Sequence, residues 1–322
     1  MHPWSPTVIK TLFVTDLDGT LLTPDVTVSA RSRELLTPLL QAGLPLSVAT
    51  ARTSFSVLPI LSGLPFSLPL ILQNGSVLHD PQSDRIVRAE TVAADAFLQV
   101  TALYRDMGFN GFVFCVREGR LTCCYTALTT PHMEKYYSER RVKYQKPFLQ
   151  VPSLESLAEQ CPVFMSLNAP KERLDPLRAA LDSVPGIAVA YYRDVYEPEI
   201  WYLEVSAASA SKRGGVLRLK EMTGAEQVVG FGDNLNDLPL FAACDVKIAV
   251  GNAAGELKRL ADFVIGSNTE DAVAEYLAEN WGSGTDTEKE AAFRKLQSLC
   301  RTVPDLQEKA QLAERRDEKF GE

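Results

Sequence analysis

The sequence predicts an α/β fold: a Rossmann-like parallel sheet core with helices on both faces, plus an inserted α+β domain. Three observations carry this. Short apolar, β-branched runs alternate with helical apolar spacing near both ends of the first 281 residues, the rhythm of a parallel sheet flanked by helices. Between about Asp84 and Ala207 that rhythm gives way to a mixed pattern containing a hairpin. Finally, three of the apolar runs end in Asp16, Thr50 and Asp233, at the strand ends where open parallel sheets bind ligands.

The elements follow in order. Thr11–Thr15 reads as a buried strand, Ser29–Gln41 as a helix stopped by Gly43, and Leu44–Ala49 as a second strand. Phe55–Leu61 reads as helical despite Pro59, and Leu68–Leu72 as a third strand before Asn74-Gly75. In the insertion, Gly111–Val116 and Arg120–Tyr125 flank Arg117-Glu118-Gly119 as a hairpin does. Strands at Val163–Asn168, Ile187–Tyr192 and Trp201–Val205 surround a helix at Glu172–Leu181. The first rhythm then resumes. Helices at Gly214–Met222, Leu235–Ala243, Ala254–Leu260 and Asp271–Glu279 alternate with strands at Gln227–Phe231, Val246–Val250 and Phe263–Ile265. The expected division is a core from 1–83 and 208–281, an insertion over 84–207, and a charged helical tail over 282–322. The tail patterns are Glu288–Gln297 and Leu306–Glu318 around Pro304, and their nearly cancelling charges suit a solvated or surface-docked helix.

Composition narrows the function. The 322 residues suit two domains, and 46% hydrophobic residues supply ample core. A net charge of -8 argues against general nucleic-acid binding, which needs a basic face, while leaving room for a local pocket for a small anion. No apolar run approaches the ~20 residues of a membrane span. The first ten residues, M-H-P-W-S-P-T-V-I-K, lack the charged start and apolar stretch of a signal peptide. Six cysteines (Cys115, Cys123, Cys124, Cys161, Cys244 and Cys300) show no C-x-x-C spacing, and most sit among apolar residues. Buried free thiols in a reducing cytoplasm are the expectation. The three histidines, His2, His79 and His132, fall in no metal-ligand or nucleophile-base pattern. Carboxylates and lysine are left to do the chemistry.

Four stretches can do it. In D-L-D-G-T, Asp16 and Asp18 stand two apart at the end of the first strand. In extended chain both side chains face the same side, so one acid can be nucleophile or metal ligand while the other carries a proton. A strand-ending Asp followed by a turn Asp is the plainer reading. In V-G-F-G-D-N-L-N-D, Asp233 ends a strand and Asp237 follows one helical turn later. With the first pair they can surround a hard cation such as Mg²⁺, which takes oxygen ligands. Asn236 can hold a phosphate-bound group or orient the acids, and Asp233 or Asn234 equally suits a helix N-cap. In S-V-A-T-A-R-T, the hydroxyl of Thr50 and the backbone N–H groups after it suit a phosphate oxygen. In S-A-S-K-R-G-G, Lys212 opens a helix and sets a point charge for a phosphate where the helix favours anions.

These motifs in this order, D16-L-D-G-T, T50, K212 and G232-D-N-L-N-D237, resemble the haloacid dehalogenase (HAD) superfamily, specifically its Cof-type, class IIB phosphatases. The likeness spans residues from about 11 to 280, and the insertion is then a C2-type cap. The resemblance implies an Mg²⁺-dependent phosphatase acting on small-molecule phosphomonoesters such as sugar phosphates, nucleotides or cofactor phosphates. By it, Asp16 attacks phosphorus to form an aspartyl-phosphate, and Asp18 is the acid and then the base. Thr50 and Lys212 bind the phosphoryl group. Asp16, the backbone carbonyl of Asp18 and Asp233 bind Mg²⁺, with Asp237 supporting the metal's shell and Asn236 orienting the site. Two departures stand out: Thr50-Ala51-Arg52 replaces the common Thr-Gly-Arg, and Arg213 follows the lysine where glycine is common. Ala51 and Arg52 remain in the expected phosphate-binding set. Asn74-Gly75 matches the family's Asn-Gly after the third strand, so Asn74 either touches substrate or merely makes a tight turn. A phosphomutase of the same superfamily and a non-catalytic phospholigand-binding protein are the alternatives. In the insertion, Tyr191, Tyr192, Arg193, Tyr196 and Trp201 either grip a leaving group or pack a sheet.

Overall fold

The computed structural model describes residues 9–144, 146–194 and 197–281. Strand β1 (Thr11–Thr15) enters a wide turn (Leu17–Leu21), followed by α1 (Ala30–Gln41), β2 (Leu46–Val48), α2 (Ser54–Leu61) and β3 (Leu70–Leu72). A tight turn (Gln73–Gly75) leads into the strands β4 (Val77–Asp80) and β5 (Arg85–Ala89). The inserted region holds α3 (Ala94–Asp106), β6 (Phe112–Arg117), β7 (Arg120–Tyr125), α4 (Pro131–Tyr144), β8 (Phe148–Gln150), β9 (Pro162–Pro170), α5 (Lys171–Leu181), β10 (Ile187–Arg193) and β11 (Ile200–Ala207). The chain then resumes with α6 (Lys212–Thr223), β12 (Gln227–Gly232), a turn (Leu235–Asp237), α7 (Leu238–Phe241), β13 (Val246–Ala249), α8 (Gly255–Leu260), β14 (Phe263–Val264) and α9 (Ala272–Trp281).

The core sheet is parallel, in the order β14-β13-β12-β1-β2. Strand β3 continues it beyond β2 through a parallel bridge at Ala49 and Ile71. Leu12, Val14, Val228, Val229 and Phe231 are buried because both faces are covered, which is why these strands read as continuous apolar runs. Phe231 meets Tyr276 of α9, while its neighbour Gly230 faces Cys244 and Leu240 beside α7. Successive residues of a strand point to opposite faces, so helices lie on both. The chain leaves β1 toward β2 and β3, then returns to the other side of β1 through β12. The order therefore reverses between β1 and β12, and a crevice opens at such a switch point.

The second sheet runs β10-β11-β9-β6-β7-β8 and is antiparallel except where β8 joins β7. Its outer face carries α3 and α5, with Phe97, Val100, Leu174 and Leu177 packed on Val113, Met165, Leu203 and Val205. Its inner face sends Phe112, Phe114, Leu121 and Cys123 into the same apolar cluster as β1, β2 and α2. Helix α4 also lies there, with Tyr136 against Phe112 at 4.9 Å between ring centroids.

Some elements fall outside the sequence expectation. The hairpin β4–β5 extends β3 antiparallel, but β5 is mostly exposed and shows no apolar run. Helix α4 is polar nearly all round, so its periodicity is faint. Helix α3 does carry helical spacing at Phe97, Val100 and Tyr104. The expected helix over Leu235–Ala243 is a tight turn continued by the short α7. Cys115, Cys123, Cys124 and Cys244 are buried, whereas Cys161 is exposed, against the expectation of buried thiols. Cys300, Tyr196 and the tail patterns at Glu288–Gln297 and Leu306–Glu318 lie outside the described residues. Among the described residues no helix is long and apolar enough to cross a membrane.

One contact ties the turn after β3 to the start of α6. Gly75 has φ +89°, and a Cβ there would lie 2.0 Å from the carbonyl oxygen of Ser211. Gly75→Ala would force a left-handed alanine against fixed backbone. It should destabilise the protein by about 2 kcal/mol or more, read from urea unfolding. A change within a few tenths of a kcal/mol would show that the two segments are not held this tightly.

Candidate active site

The wide turn after β1 places its two acids differently. Asp16 is 3% exposed and still extended, with φ -65° and ψ 164°. Asp18 sits beyond it with its side chain half exposed. They are held by different cations. Lys212 Nζ lies 2.7 Å from Asp16 Oδ1 and 2.6 Å from Asp237 Oδ1. Arg52 donates from Nε and Nη2 to the two oxygens of Asp18, at 2.7 and 2.6 Å. The spacing in D-x-D thus sends one carboxylate inward and one to the rim.

Lys212 reaches the buried position because Ser211 caps α6, its hydroxyl accepting from Gly214 N at 3.0 Å. Burial opposes its charge, yet Asp16 and Asp237 outweigh this and raise its pKa. Burial pushes the carboxyl of Asp16 up to about 7, Lys212 opposing and Asp237 adding to the rise. Asp233, at the end of β12, is also raised, by burial first and then by Asp237. Thr20 Oγ1 donates to Asp233 Oδ1 at 3.1 Å and joins the two strand ends.

Asp237 is fully buried and its oxygens are occupied. Besides Lys212, it accepts from the backbone N of Asp233 and of Asn234, at 2.9 and 3.2 Å. Asn234 is the N-cap of the turn, completing a capping box with Asp237. Gly19 has φ +76°, and a Cβ there would come within 2.4 Å of Asp233 Oδ2, so only glycine lets the two loops meet.

Carboxylate oxygens of Asp16, Asp233 and Asp237 lie within 4.8 Å of one another. An oxygen-only set of this charge fits a hard divalent cation rather than a thiolate- or imidazole-seeking metal. Asp16 and Asp233 have the freer oxygens. Burial is the first cause of the raised pKa of both acids, and a cation held between them would oppose it.

The phosphate-binding candidates divide. Thr50 is buried beside β3, its N donating to Ile71 O at 3.0 Å and its hydroxyl accepting from Arg52 N at 3.2 Å. Ala51 is exposed on the same loop. The backbone N of Gln73 and of Asn74 donate to the carbonyls of Arg52 and Thr50, so the two loops are pinned together. Asn74 is exposed with φ +52°. Asn236 is exposed in the turn between the two acids of the fourth motif.

Sequence reasoning placed Arg52 against phosphate and missed its pairing with Asp18. It also missed two supports of the wide turn. Asn252 donates to Gly19 O at 2.7 Å, and Asn268 donates to Leu22 O at 2.7 Å. Strand-ending asparagines are common, and only the sheet order brings these two beside β1. In the insertion, strand alternation splits the aromatic group. Tyr191 and Trp201 pair on the outer face, while Tyr192 stacks on Tyr202 on the inner one.

A buried Asp16–Lys212–Asp237 cluster at a switch point, with a second acid at the rim, fits a phosphoryl-transfer hydrolase of the α/β class. The model of the haloacid dehalogenase-like hydrolases matches residues 13–277, and the chain belongs to that family. It is a phosphatase of its Cof-type branch. It is 28% identical over 273 residues to the pyridoxal phosphate phosphatase YbhA of Escherichia coli, covering 81% of this chain and 95% of the relative. It is 25% identical to the 5-amino-6-(5-phospho-D-ribitylamino)uracil phosphatase YwtE of Bacillus subtilis, covering 81% and 95%. The fold is that of TM0651 from Thermotoga maritima, with TM-score 0.67, 22% identity and 86% and 98% coverage. The subclass IIB sugar phosphatase BT4131 also shares it, with TM-score 0.60, 19% identity and 84% and 98% coverage.

Replacing Lys212 with Met keeps the stem and removes the charge. Asp16 and Asp237 then stay buried without a counter-charge, which costs about 3–5 kcal/mol. Lys212→Met should unfold at markedly lower urea concentration and lose phosphatase activity. Wild-type stability in that variant would show that the lysine does not hold the acids in place.

Proposed function

We propose that this chain is an Mg²⁺-dependent phosphatase of small-molecule phosphomonoesters, working through an aspartyl-phosphate on Asp16. The observation that carries the reading is the pairing of buried Asp16 with Lys212 while Asp18 stands at the rim. One acid is desolvated and aimed by a fixed cation, as a nucleophile is. The other is within reach of solvent and of a leaving group, as an acid/base must be.

In the first half-reaction an oxygen of Asp16 bonds to phosphorus as the bond to the leaving oxygen breaks. Asp18, released from Arg52, acts as the acid and gives a proton to that oxygen. In the second, Asp18 takes a proton from water as the water attacks phosphorus. The bond to Asp16 breaks, inorganic phosphate leaves, and both acids return to their starting states. Lys212, the Thr50 hydroxyl and the N–H of Ala51 bind the non-reacting phosphoryl oxygens, with the Arg52 guanidinium beside them. Asn74 and Asn236 border that position. Asp16, Asp233 and the carbonyl of Asp18 would hold Mg²⁺, with Asp237 fixing Lys212 and the loop behind them. Bound there, the ion would neutralise charge on the phosphoryl oxygens. The arrangement of Asp18 under Arg52 is the resting one, and substrate phosphate competes for the same guanidinium.

The relatives named above act on pyridoxal phosphate and on a phosphoribitylamino uracil, which supports a small organic phosphate as substrate here. Residues 84–207 would form the C2-type cap that selects the leaving group. The buried thiols of Cys115, Cys123, Cys124 and Cys244 suit a reducing cytoplasm.

Asp16→Asn should lower phosphate release from p-nitrophenyl phosphate by more than about 1,000-fold without unfolding the protein, since an amide is no nucleophile. Near-normal turnover in the purified variant would exclude Asp16 as the nucleophile. Chelator-stripped wild-type protein should be inactive and recover with Mg²⁺ but poorly with Ca²⁺, whose longer, more numerous ligands misplace the attack. Full activity after stripping would remove the metal from the mechanism.

A further inference from the structure

The turn after β3 is held in an unfavourable shape. Gln73, Asn74 and Gly75 have φ +50°, +52° and +89°, so two non-glycine residues in succession are left-handed. A residue with a Cβ enters that region at a cost, and such strain persists only where the surroundings leave no alternative. The turn's own side chains do not brace it. Gln73 and Ser76 are buried, and among the described residues neither the amide nor the hydroxyl has a hydrogen-bond partner. The hold comes from neighbouring segments. The backbone N of Gln73 and of Asn74 donate to Arg52 O and Thr50 O, at 3.0 Å each, which ties the turn to the phosphate-binding loop. On the other side Arg218 Nη2 donates to Gly75 O at 2.6 Å.

Arg218 is built into this place. It stands on α6, the helix that Lys212 opens, and its side chain is 12% exposed. Burial opposes its charge, and Glu90 offsets part of that cost. Its Nη1 lies 3.1 Å from Glu90 Oε1, and Ser209 donates to the other oxygen of Glu90 at 2.7 Å. The backbone N of Glu90 donates to Ser76 O at 2.7 Å, just past the turn. Gly214 leaves the room: a Cβ there would lie 3.1 Å from Arg218 Nη1 and 2.5 Å from Ser209 O. Glu90 follows β5 on the way into the insertion, and Ser209 follows β11 on the way out. One ion pair therefore joins both linkers of the insertion to the turn that carries Asn74. A charged donor bonds a carbonyl more strongly than a neutral one, which suits a clamp on strained backbone.

We propose that Arg218 is a positioning residue for phosphoryl transfer: it holds the left-handed turn so that the exposed Asn74 faces the substrate phosphate, and through Glu90 it ties that turn to both linkers of the insertion. This rests on the phosphatase reading above and deepens it. Arg218 does not touch substrate. It acts through Asn74, whose place beside Thr50 depends on a backbone shape that asparagine does not keep unaided.

The test is a double-mutant cycle between Arg218 and Asn74, read as kcat and KM on p-nitrophenyl phosphate, with urea unfolding of every variant. Arg218→Met keeps a long stem and removes the donors, and it should lower kcat/KM by about tenfold or more. Asn74→Ala should do the same, and the two losses should divide alike between kcat and KM. In the Asn74→Ala background, Arg218→Met should cost less than about a further twofold, because groups acting through one contact do not add. Glu90→Gln keeps an acceptor for Ser209 and removes the charge facing the guanidinium. It should lose about threefold, again only while Asn74 is present, and it carries the cycle if Arg218→Met does not fold. Losses that multiply overturn the proposal, since Arg218 would then be a structural residue with no path through Asn74. Wild-type kcat/KM in Asn74→Ala, or in a folded Arg218→Met, overturns it as well. Absence of p-nitrophenyl phosphate hydrolysis in the wild type would instead defeat the phosphatase reading itself.

Discussion

Everything in the core is arranged around one ammonium group. Lys212 Nζ sits between Asp16 and Asp237, and all three side chains are at most 5% exposed. Two carboxylates buried together without a cation would repel each other and lose their water, and either would take up a proton or force the site open. The lysine comes from α6, the first element after the insertion. The acids come from opposite sides of the switch point. The site therefore exists only when the first strand's end and two stretches some two hundred positions further on are all in place. That explains why a chain can carry a large insertion here. The insertion adds length between β5 and α6 but leaves the ends of that excursion fixed by Glu90, Ser209 and Arg218. Ser209 and Arg218 both bond Glu90, and Arg218 Nη2 also donates to Gly75 O at 2.6 Å.

The same constraint explains which positions tolerate no side chain. Gly19 and Gly75 lie where a loop of the first segment meets a loop or helix of the last, and each has backbone or carboxylate within van der Waals distance of its missing Cβ. The strands position the acids to within a residue. The close approaches then bring Asp233 against the wide turn and α6 against the turn after β3. Thr20, Asn252 and Asn268 finish the work with hydrogen bonds from outside.

The parts of this arrangement that repeat a local rule could be read in the sequence. Strand β1 was legible because Leu12 to Val14 are apolar and both faces are covered. The catalytic candidates were legible because each stands next to such a run. What could not be read depends on contacts between distant segments. Nothing in Thr50-Ala51-Arg52 says that the guanidinium turns to Asp18 rather than to a phosphate, since both partners are anionic. The extended-chain argument put Asp16 and Asp18 on one side, but the chain leaves strand geometry at Leu17, and the two side chains diverge. Polar α4 and exposed β5 lack an apolar stripe strong enough to show their period.

The divergence of the two acids matters for the chemistry. A carboxylate whose two oxygens both accept from Arg52 is turned toward that arginine, while further lone pairs remain on each oxygen. Asp16, by contrast, is aimed and desolvated before any substrate arrives. On the proposed roles, nucleophile and acid/base are prepared by opposite means: the first is fixed by a buried lysine, and the second is paired with an arginine at the rim. On that proposal the attacking acid is already ordered in the free protein, while the acid/base would come into place as a phosphate ester draws Arg52 away from it.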